Sequence, residues 1–120
     1  MFDDLSIGTD IEKTSRFKNK SLDNDKAFLL RIFTPKELEY SFSDKNSAKH
    51  LCARYCAKEA TVKALSSFGI TDVYYKDIEM TNAENGQPSL HISKYPNIRA
   101  KVSVSHSPTD ATASVLLCRQ

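Results

Sequence analysis

CAKEATVKAL occupies residues 56–65. It has the period of a helix, yet one acid and two lysines sit among small apolar residues. Successive helical residues stand about 100° apart around the axis. Leu51, Tyr55 and Val62 then share one face, and Cys56, Ala60 and Ala64 form a neighbouring stripe of small residues. A helix apolar over so much of its circumference is mostly buried. Glu59 and Lys63, four apart, occupy a sector between the stripes, and Arg54 and Lys58 occupy another. The plain account makes Glu59 and Lys63 an i,i+4 ion pair worth a few tenths of a kcal/mol and leaves Arg54 and Lys58 solvated.

Outward from this stretch, Ser43 or Ser47 starts the helix, which runs to about Ser67 before Gly69 stops it. Upstream, Thr34-Pro35 marks another start, with Thr34 as cap, Pro35 first and Glu37 three after the cap; this helix ends near Phe42. Lys26 to Ile32 is helical, and Thr14 to Lys26, with few apolar residues and no clear period, has room for a short helix but is expected to be mobile. Leu5 to Glu12 alternates as a strand, with Ile7, Thr9 and Ile11 on one side and Gly8, Asp10 and Glu12 on the other. Downstream, Val73–Met80, Pro88–Ser93, Ala100–His106 and Ala111–Cys118 read as strands, with Asn85-Gly86 as a turn. A strand, then helices, then strands gives an α+β fold, a small antiparallel sheet packed against helices. A four-stranded sheet in so small a chain leaves an open edge and an uncovered face, which association would protect.

The chain has 120 residues, which fits one domain spanning 1–120. Its 40% apolar and 27% charged residues are ordinary for a soluble globular protein. A net charge of +2 and scattered aromatics lend no support to nucleic-acid binding. No apolar run approaches the length of a membrane span, and the acidic opening MFDDLSIGTD lacks the apolar core of a signal peptide. The expected setting is cytoplasmic, without membrane association. Three cysteines without a secretion signal argue against a disulfide framework. Cys52 and Cys56, four apart and near His50, have metal-ligand spacing, but small buried residues at tight packing are the preferred reading. His50 and His91 are read as surface residues, and Phe28 and Phe33 as core or interface anchors.

Two acids, Asp10 and Glu59, with Lys63, Arg54 and His106, form a set able to converge on a polyphosphate and its metal. Mg2+ takes oxygen ligands, typically one or two carboxylates plus substrate phosphates, and Lys and Arg balance the remaining charge. Each residue alone has a simpler role: Asp10 caps a turn, and His106 ends a strand. Ser105 and His106 point to opposite faces, so they make a poor nucleophile–base pair.

IGTDI (7–11), RIFTPKE (31–37), ARYCAKEATVKAL (53–65), ENGQP (84–88) and SVSHS (103–107) together resemble the holo-(acyl-carrier-protein) synthase family, in order, spacing and over nearly the whole chain. These are small 4'-phosphopantetheinyl transferases. The resemblance implies the 4'-phosphopantetheinyl transferase fold. It implies an enzyme that moves 4'-phosphopantetheine from coenzyme A to a serine of an apo acyl carrier protein, releasing adenosine 3',5'-bisphosphate. It implies Mg2+ dependence, a homotrimer and active sites between subunits. Asp10 and Glu59 match the family's cation ligands, Lys63 its phosphate contact and His106 a residue of the same site. Arg54 matches a residue of the coenzyme A site, which on this reading also takes in Lys45, Lys58, Gly86, Pro88 and Ser105. Arg16 matches the family's carrier-facing arginine, and Lys20 is read with it as a carrier-protein contact. The serine proton goes to Glu59, directly or through a water on the cation, or to His106; both remain open. Gly86 and Pro88 either touch the nucleotide or simply form a hairpin turn.

The chain departs from the family in three places. SSFG (66–69) stands where the family often has a glycine-rich loop. DKNSAK (44–49) stands where it often has a basic pair, so Lys45 and Lys49 substitute without an arginine fork. FKNKSLDNDK (17–26) mixes lysines with aspartates on the carrier-facing segment. None of these changes touches Asp10, Glu59, Lys63 or His106. The alternative function is a catalytically weak carrier-protein-binding module of the same fold, which would have lost a metal ligand or the phosphate lysine.

Overall fold

The structure is a computed structural model and describes residues 2–119. Its axis is helix α3, Ser47–Ser67, 21 residues long. Asn46 caps its start by accepting from the Lys49 N–H, in place of the two serines expected there. Gly69, at φ 77°, ends it: Ile70 N–H donates to Leu65 O at 3.1 Å and Gly69 N–H to Ser66 O at 2.9 Å. This is the left-handed closure that glycine permits. Twelve residues of α3 are buried, spread around the helix, as expected for a helix covered on several sides.

Strand β1 (Leu5–Lys13) precedes it. Ser21 caps α1 (Leu22–Ile32), and α2 spans Pro35–Phe42. The whole capping box forms at α2: Thr34 Oγ1 accepts the Glu37 N–H and Glu37 Oε1 accepts the Thr34 N–H. The segment expected to be mobile is ordered, with a short 3-10 turn at Thr14–Phe17 and the first turn of α1. Phe17 fixes it, fully buried among Phe33 and Tyr55. Phe33 is likewise in the core, whereas Phe28 is partly exposed.

Four more strands follow: β2 (Ile78–Asn82), β3 (Pro88–Ile92), β4 (Arg99–His106) and β5 (Asp110–Cys118). The single four-stranded sheet expected from sequence is replaced by two antiparallel sheets, one of order β1-β5-β4 and one pairing β2 with β3. Two local features separate them. A 3-10 turn at Tyr75–Asp77 delays β2 until Ile78. Successive turns after β3, from Tyr95 N–H to Ile92 O and Ile98 N–H to Tyr95 O, break the ladder before β4. Helix α3 packs on β1 and β5 on one side and on α2 and β2 on the other. Its small residues Ala57, Ala60 and Ala64 join Ile78, Met80, Leu90, Val115 and Leu117 in the main core.

The alternation of β1 is as expected, but its apolar side is the outer one. Ile7 and Ile11 are 74% and 65% exposed, and Leu116 lies beside Ile7 on the neighbouring strand. The side facing α3 carries Ser6, Gly8, Asp10 and Glu12. Close approach is the reason. A Cβ on Gly8 would lie 1.9 Å from Ala60 O, a backbone atom that has nowhere to go. Ser6 Oγ donates to Ala64 O at 2.6 Å one turn along. Gly8→Ala should therefore destabilise the fold toward the upper end of the about 1–3 kcal/mol typical of overpacking. Urea unfolding of the two proteins checks this; equal midpoints would contradict the close approach.

Candidate active site

Because Gly8 brings β1 against α3, the side chains two and four residues further along the same face reach the helix's charged sector. Asp10 is nearly enclosed, with 9% of its side chain exposed. Its Oδ1 accepts from Lys63 Nζ at 3.1 Å, and the same ammonium donates to Thr9 O at 2.9 Å. Asp10 Oδ2 is buried with no hydrogen-bond partner, a costly state for a carboxylate oxygen. The bond to Asp10 raises the Lys63 pKa, keeping it charged.

Glu59 stands one turn before Lys63 on α3. Its Oε1 accepts from the Tyr75 hydroxyl. Between the two acids lies Glu12, which sequence analysis placed on the face of Asp10 but did not count in the site. Burial first, then the adjacent Asp10 and the charge of Glu59, raise its pKa, while Arg16 opposes them. Arg16 pairs with Glu12 at 3.3 Å and lies over the Tyr55 ring at 4.8 Å. Alternation along β1 was the signal that could have included Glu12. The Tyr75 contact had no local signal.

This flank fits a hard divalent cation. Among the described residues no three His, Cys, Asp or Glu side chains enclose a metal by themselves. Two carboxylates with one unsatisfied buried oxygen are instead what Mg2+ accepts when substrate phosphates complete its shell.

Other expected site residues gather on the opposite flank of α3. A cavity of about 240 Å³ is lined by Arg54, Asn82, Gly86, Pro88 and His106 among others. Arg54 is not solvated. It is 2% exposed, its guanidinium stacks 4.3 Å from the Tyr40 ring centre, and it donates to Asn82 Oδ1 and His50 O. Its Nε is buried without a partner. Burial lowers its pKa, and Glu37 and Tyr40 act against that shift. Asn82 Nδ2 also donates to Gly86 O at 3.0 Å, tying the hairpin turn to the arginine. Gly86 adopts φ 87°, so the turn needs it whatever else it touches.

Lys58 is a correction. It is neither solvated nor open to a ligand: its side chain is fully buried, and Nζ pairs with Glu37 Oε1 at 2.7 Å. The same nitrogen donates to Tyr75 O at 2.8 Å and to Ile78 O. Burial lowers its pKa and Glu37 raises it back. The sector that Lys58 shares with Arg54 faces α2 and β2 rather than water. Glu37 Oε2 also accepts from Met80 N–H at 2.9 Å, so the capping-box acid is the buried counter-charge.

The remaining residues divide similarly. His106 is exposed at the end of β4, in register across Ala111 with Glu12. Ser105 alternates to the other face, and Lys45 is exposed in the turn before α3. A wider cleft of about 720 Å³ beside His106 is lined by Lys13, Lys18 and Lys49. Lys20 lies over the Phe28 ring at 5.1 Å. His50 has partners after all, Asp44 Oδ2 at 2.9 Å and the Tyr40 ring, and it lowers the Asp44 pKa. Cys52 and Cys56 are buried free thiols whose Sγ atoms face Glu12 O and Ala111 O. Burial pushes Cys52 to about 11 and Cys56 higher still, which fits packing and not ligation. Asp10, Glu59 and Lys63 thus meet on the β1 flank, while Arg54, Gly86, Pro88 and His106 meet on the hairpin flank.

A model described as the 4'-phosphopantetheinyl transferase superfamily matches residues 6–116. The holo-[acyl-carrier-protein] synthase of Clostridium novyi (strain NT) is 33% identical over 121 residues, covering 94% of this chain and 86% of that protein. The holo-(acyl-carrier-protein) synthase of Bacillus anthracis, solved in complex with CoA (3',5'-ADP), superposes with a TM-score of 0.78 at 30% identity, covering 96% of each chain. The Helicobacter pylori holo-[acyl-carrier-protein] synthase, solved with coenzyme A, gives a TM-score of 0.76 at 28% identity, covering 92% of this chain and 98% of that one.

The Glu37–Lys58 pair makes its own prediction. Lys58→Met leaves a buried carboxylate without its counter-charge and should cost about 3–5 kcal/mol. Adding Glu37→Gln removes the orphaned charge and should recover part of that loss. Denaturant unfolding of the two variants decides it: a single variant no weaker than the double would contradict the pairing.

Proposed function

The chain belongs to the 4'-phosphopantetheinyl transferase superfamily, and from that membership we propose that it is a Mg2+-dependent holo-(acyl-carrier-protein) synthase. It transfers 4'-phosphopantetheine from coenzyme A to a serine hydroxyl of an apo acyl carrier protein and releases adenosine 3',5'-bisphosphate. The observation that carries the reading is the buried, unpartnered Oδ2 of Asp10, beside Lys63 and on the flank that carries Glu59.

Asp10 and Glu59 would hold the cation, which supplies positive charge to the pyrophosphate and polarises its oxygens. The serine oxygen attacks the phosphorus next to the pantetheine arm, and the bond from that phosphorus to the oxygen of the nucleotide's 5'-phosphate breaks. Catalysis here is positioning and neutralisation of charge. Lys63, 55% exposed and held charged by Asp10, reaches out to stabilise the negative charge on the departing phosphate. One Glu59 oxygen is held by Tyr75 and the other is the cation's, so the serine proton passes to Glu59 through an intervening water or to His106. Arg54, Gly86, Pro88 and His106 line the cavity that receives the nucleotide. Arg16 and Lys20 lie toward the carrier, whose acidic surface they complement.

Within one chain α3 separates the cation flank from the nucleotide flank. A second copy seated on the exposed outer face of Ile7, Ile11 and Leu116 would cover it and bring one chain's nucleotide flank to the next chain's cation flank. A head-to-tail contact of this kind can close into a ring; three copies follow from the family resemblance alone, and the proposed enzyme is on that ground a homotrimer, with the cytoplasm as its expected setting. His106 then approaches Glu59 from a neighbour, which makes it the second candidate for the serine proton. The reading as a weak binding module would require loss at Asp10, Glu59 or Lys63, and all three are in place.

The test is intact mass of an apo acyl carrier protein after incubation with coenzyme A and the purified protein, with Mg2+ or with chelator. A phosphopantetheine-sized gain is expected with Mg2+ only. Glu59→Gln and Lys63→Ala should each slow it by about 10²–10³-fold. No gain on any carrier, with coenzyme A still bound, would favour the binding module; undiminished transfer by Glu59→Gln would overturn the site assignment.

A further inference from the structure

We propose that Tyr75 is the positioning residue for Glu59, the side chain that holds this carboxylate in the orientation the cation needs. The inference rests on the reading of Glu59 as a cation ligand. Helix α3 grips one residue at both ends. Lys58 Nζ donates to the backbone carbonyl of Tyr75, and Glu59, the next residue of the helix, accepts from the Tyr75 hydroxyl. The first grip is rigid, since Lys58 is buried and paired with Glu37, itself bonded to Thr34 and Met80. The ring is fixed as well. It packs edge-on against Tyr55 at 5.6 Å, and Arg16 covers the next ring of the stack.

The hydroxyl is the informative atom. A phenylalanine would fill the same space against Tyr55, so packing alone does not call for an oxygen. Glu59 is half-buried on an acidic flank, where the charge of Glu12 opposes its own and a glutamate has several rotamers to choose from. A donor on Oε1 restricts that freedom and leaves Oε2 as the oxygen for the cation. Donors that orient a ligating carboxylate in this way commonly change metal affinity or activity by about 10–100-fold when removed. The buried lysine that looked like a ligand in the sequence thus serves the site indirectly, by anchoring the residue that orients Glu59.

The experiment is Mn2+ binding to the free protein, followed by the electron paramagnetic resonance of unbound Mn2+, without coenzyme A or carrier. Tyr75→Phe should weaken Mn2+ binding about tenfold and should have no further effect in a Glu59→Gln background. Affinity within twofold of wild type, or an equal loss in the Glu59→Gln background, would overturn the proposal. So would wild-type protein that binds no Mn2+. If Tyr75→Phe does not fold, wild-type protein labelled with 3-fluorotyrosine replaces it. One 19F resonance should then shift on saturation with Mg2+ and stay fixed in Glu59→Gln; no responsive resonance would overturn the assignment. Failure of the transfer reading shows separately, as wild-type protein that leaves the carrier's mass unchanged.

Discussion

The contact between the backbone of β1 at Gly8 and the backbone of α3 at Ala60 is the constraint on which the rest of the structure depends. Any side chain at residue 8 would hold strand and helix apart, and Asp10 would no longer reach Lys63. The close approach also explains why β1 turns its apolar side outward. The inward positions nearest the helix accept only glycine and a serine that bonds to Ala64 O, so the bulky residues of the alternation are left on the outer face. One steric requirement therefore builds the acidic flank and, on the other side of the same strand, an exposed apolar surface.

The charges of α3 divide by what they face. Glu59 and Lys63 lie toward β1 and remain accessible, where a cation and a phosphate can use them. Arg54 and Lys58 lie toward α2 and the β2–β3 hairpin, and both are buried. Burying a cation is tolerable only with a counter-charge and good hydrogen bonds, and Lys58 has both in Glu37 and two carbonyls. Arg54 keeps an unsatisfied Nε and opens onto a cavity, which sets it apart from its neighbour as a group still able to take a ligand. Asn82 links it to the turn at Gly86, so the hairpin and the arginine are tied together.

Local signals in the sequence carried far. The capping box at Thr34 and Glu37 needs only neighbours three residues apart, and it forms as read. The end of α3 at Gly69 and the alternation of β1 are local in the same sense. Features set by distant packing were not legible. The break between the two sheets depends on turns at Tyr75–Asp77 and after Ile92 that periodicity does not report. Burial of Lys58 depends on which elements cover its sector, and no spacing within α3 states that. The motif residues themselves were legible as a set, but their separation onto two flanks of α3 was not. Their grouping arises from where β1 and the hairpin meet the helix.

In the proposed enzyme a working site joins the cation flank of one chain to the nucleotide flank of another. Subunit mixing tests it most directly. A cation-flank variant, Glu59→Gln, and a nucleotide-flank variant, Arg54→Met/His106→Ala, would be assayed for carrier modification separately and after co-refolding in equal amounts. If the site is shared, random assembly gives a fraction of interfaces free of both defects, and the mixture should recover on the order of a quarter of wild-type activity. If each chain holds a complete site, every site in the mixture carries a defect. Activity no higher than that of the separate variants would then contradict the account.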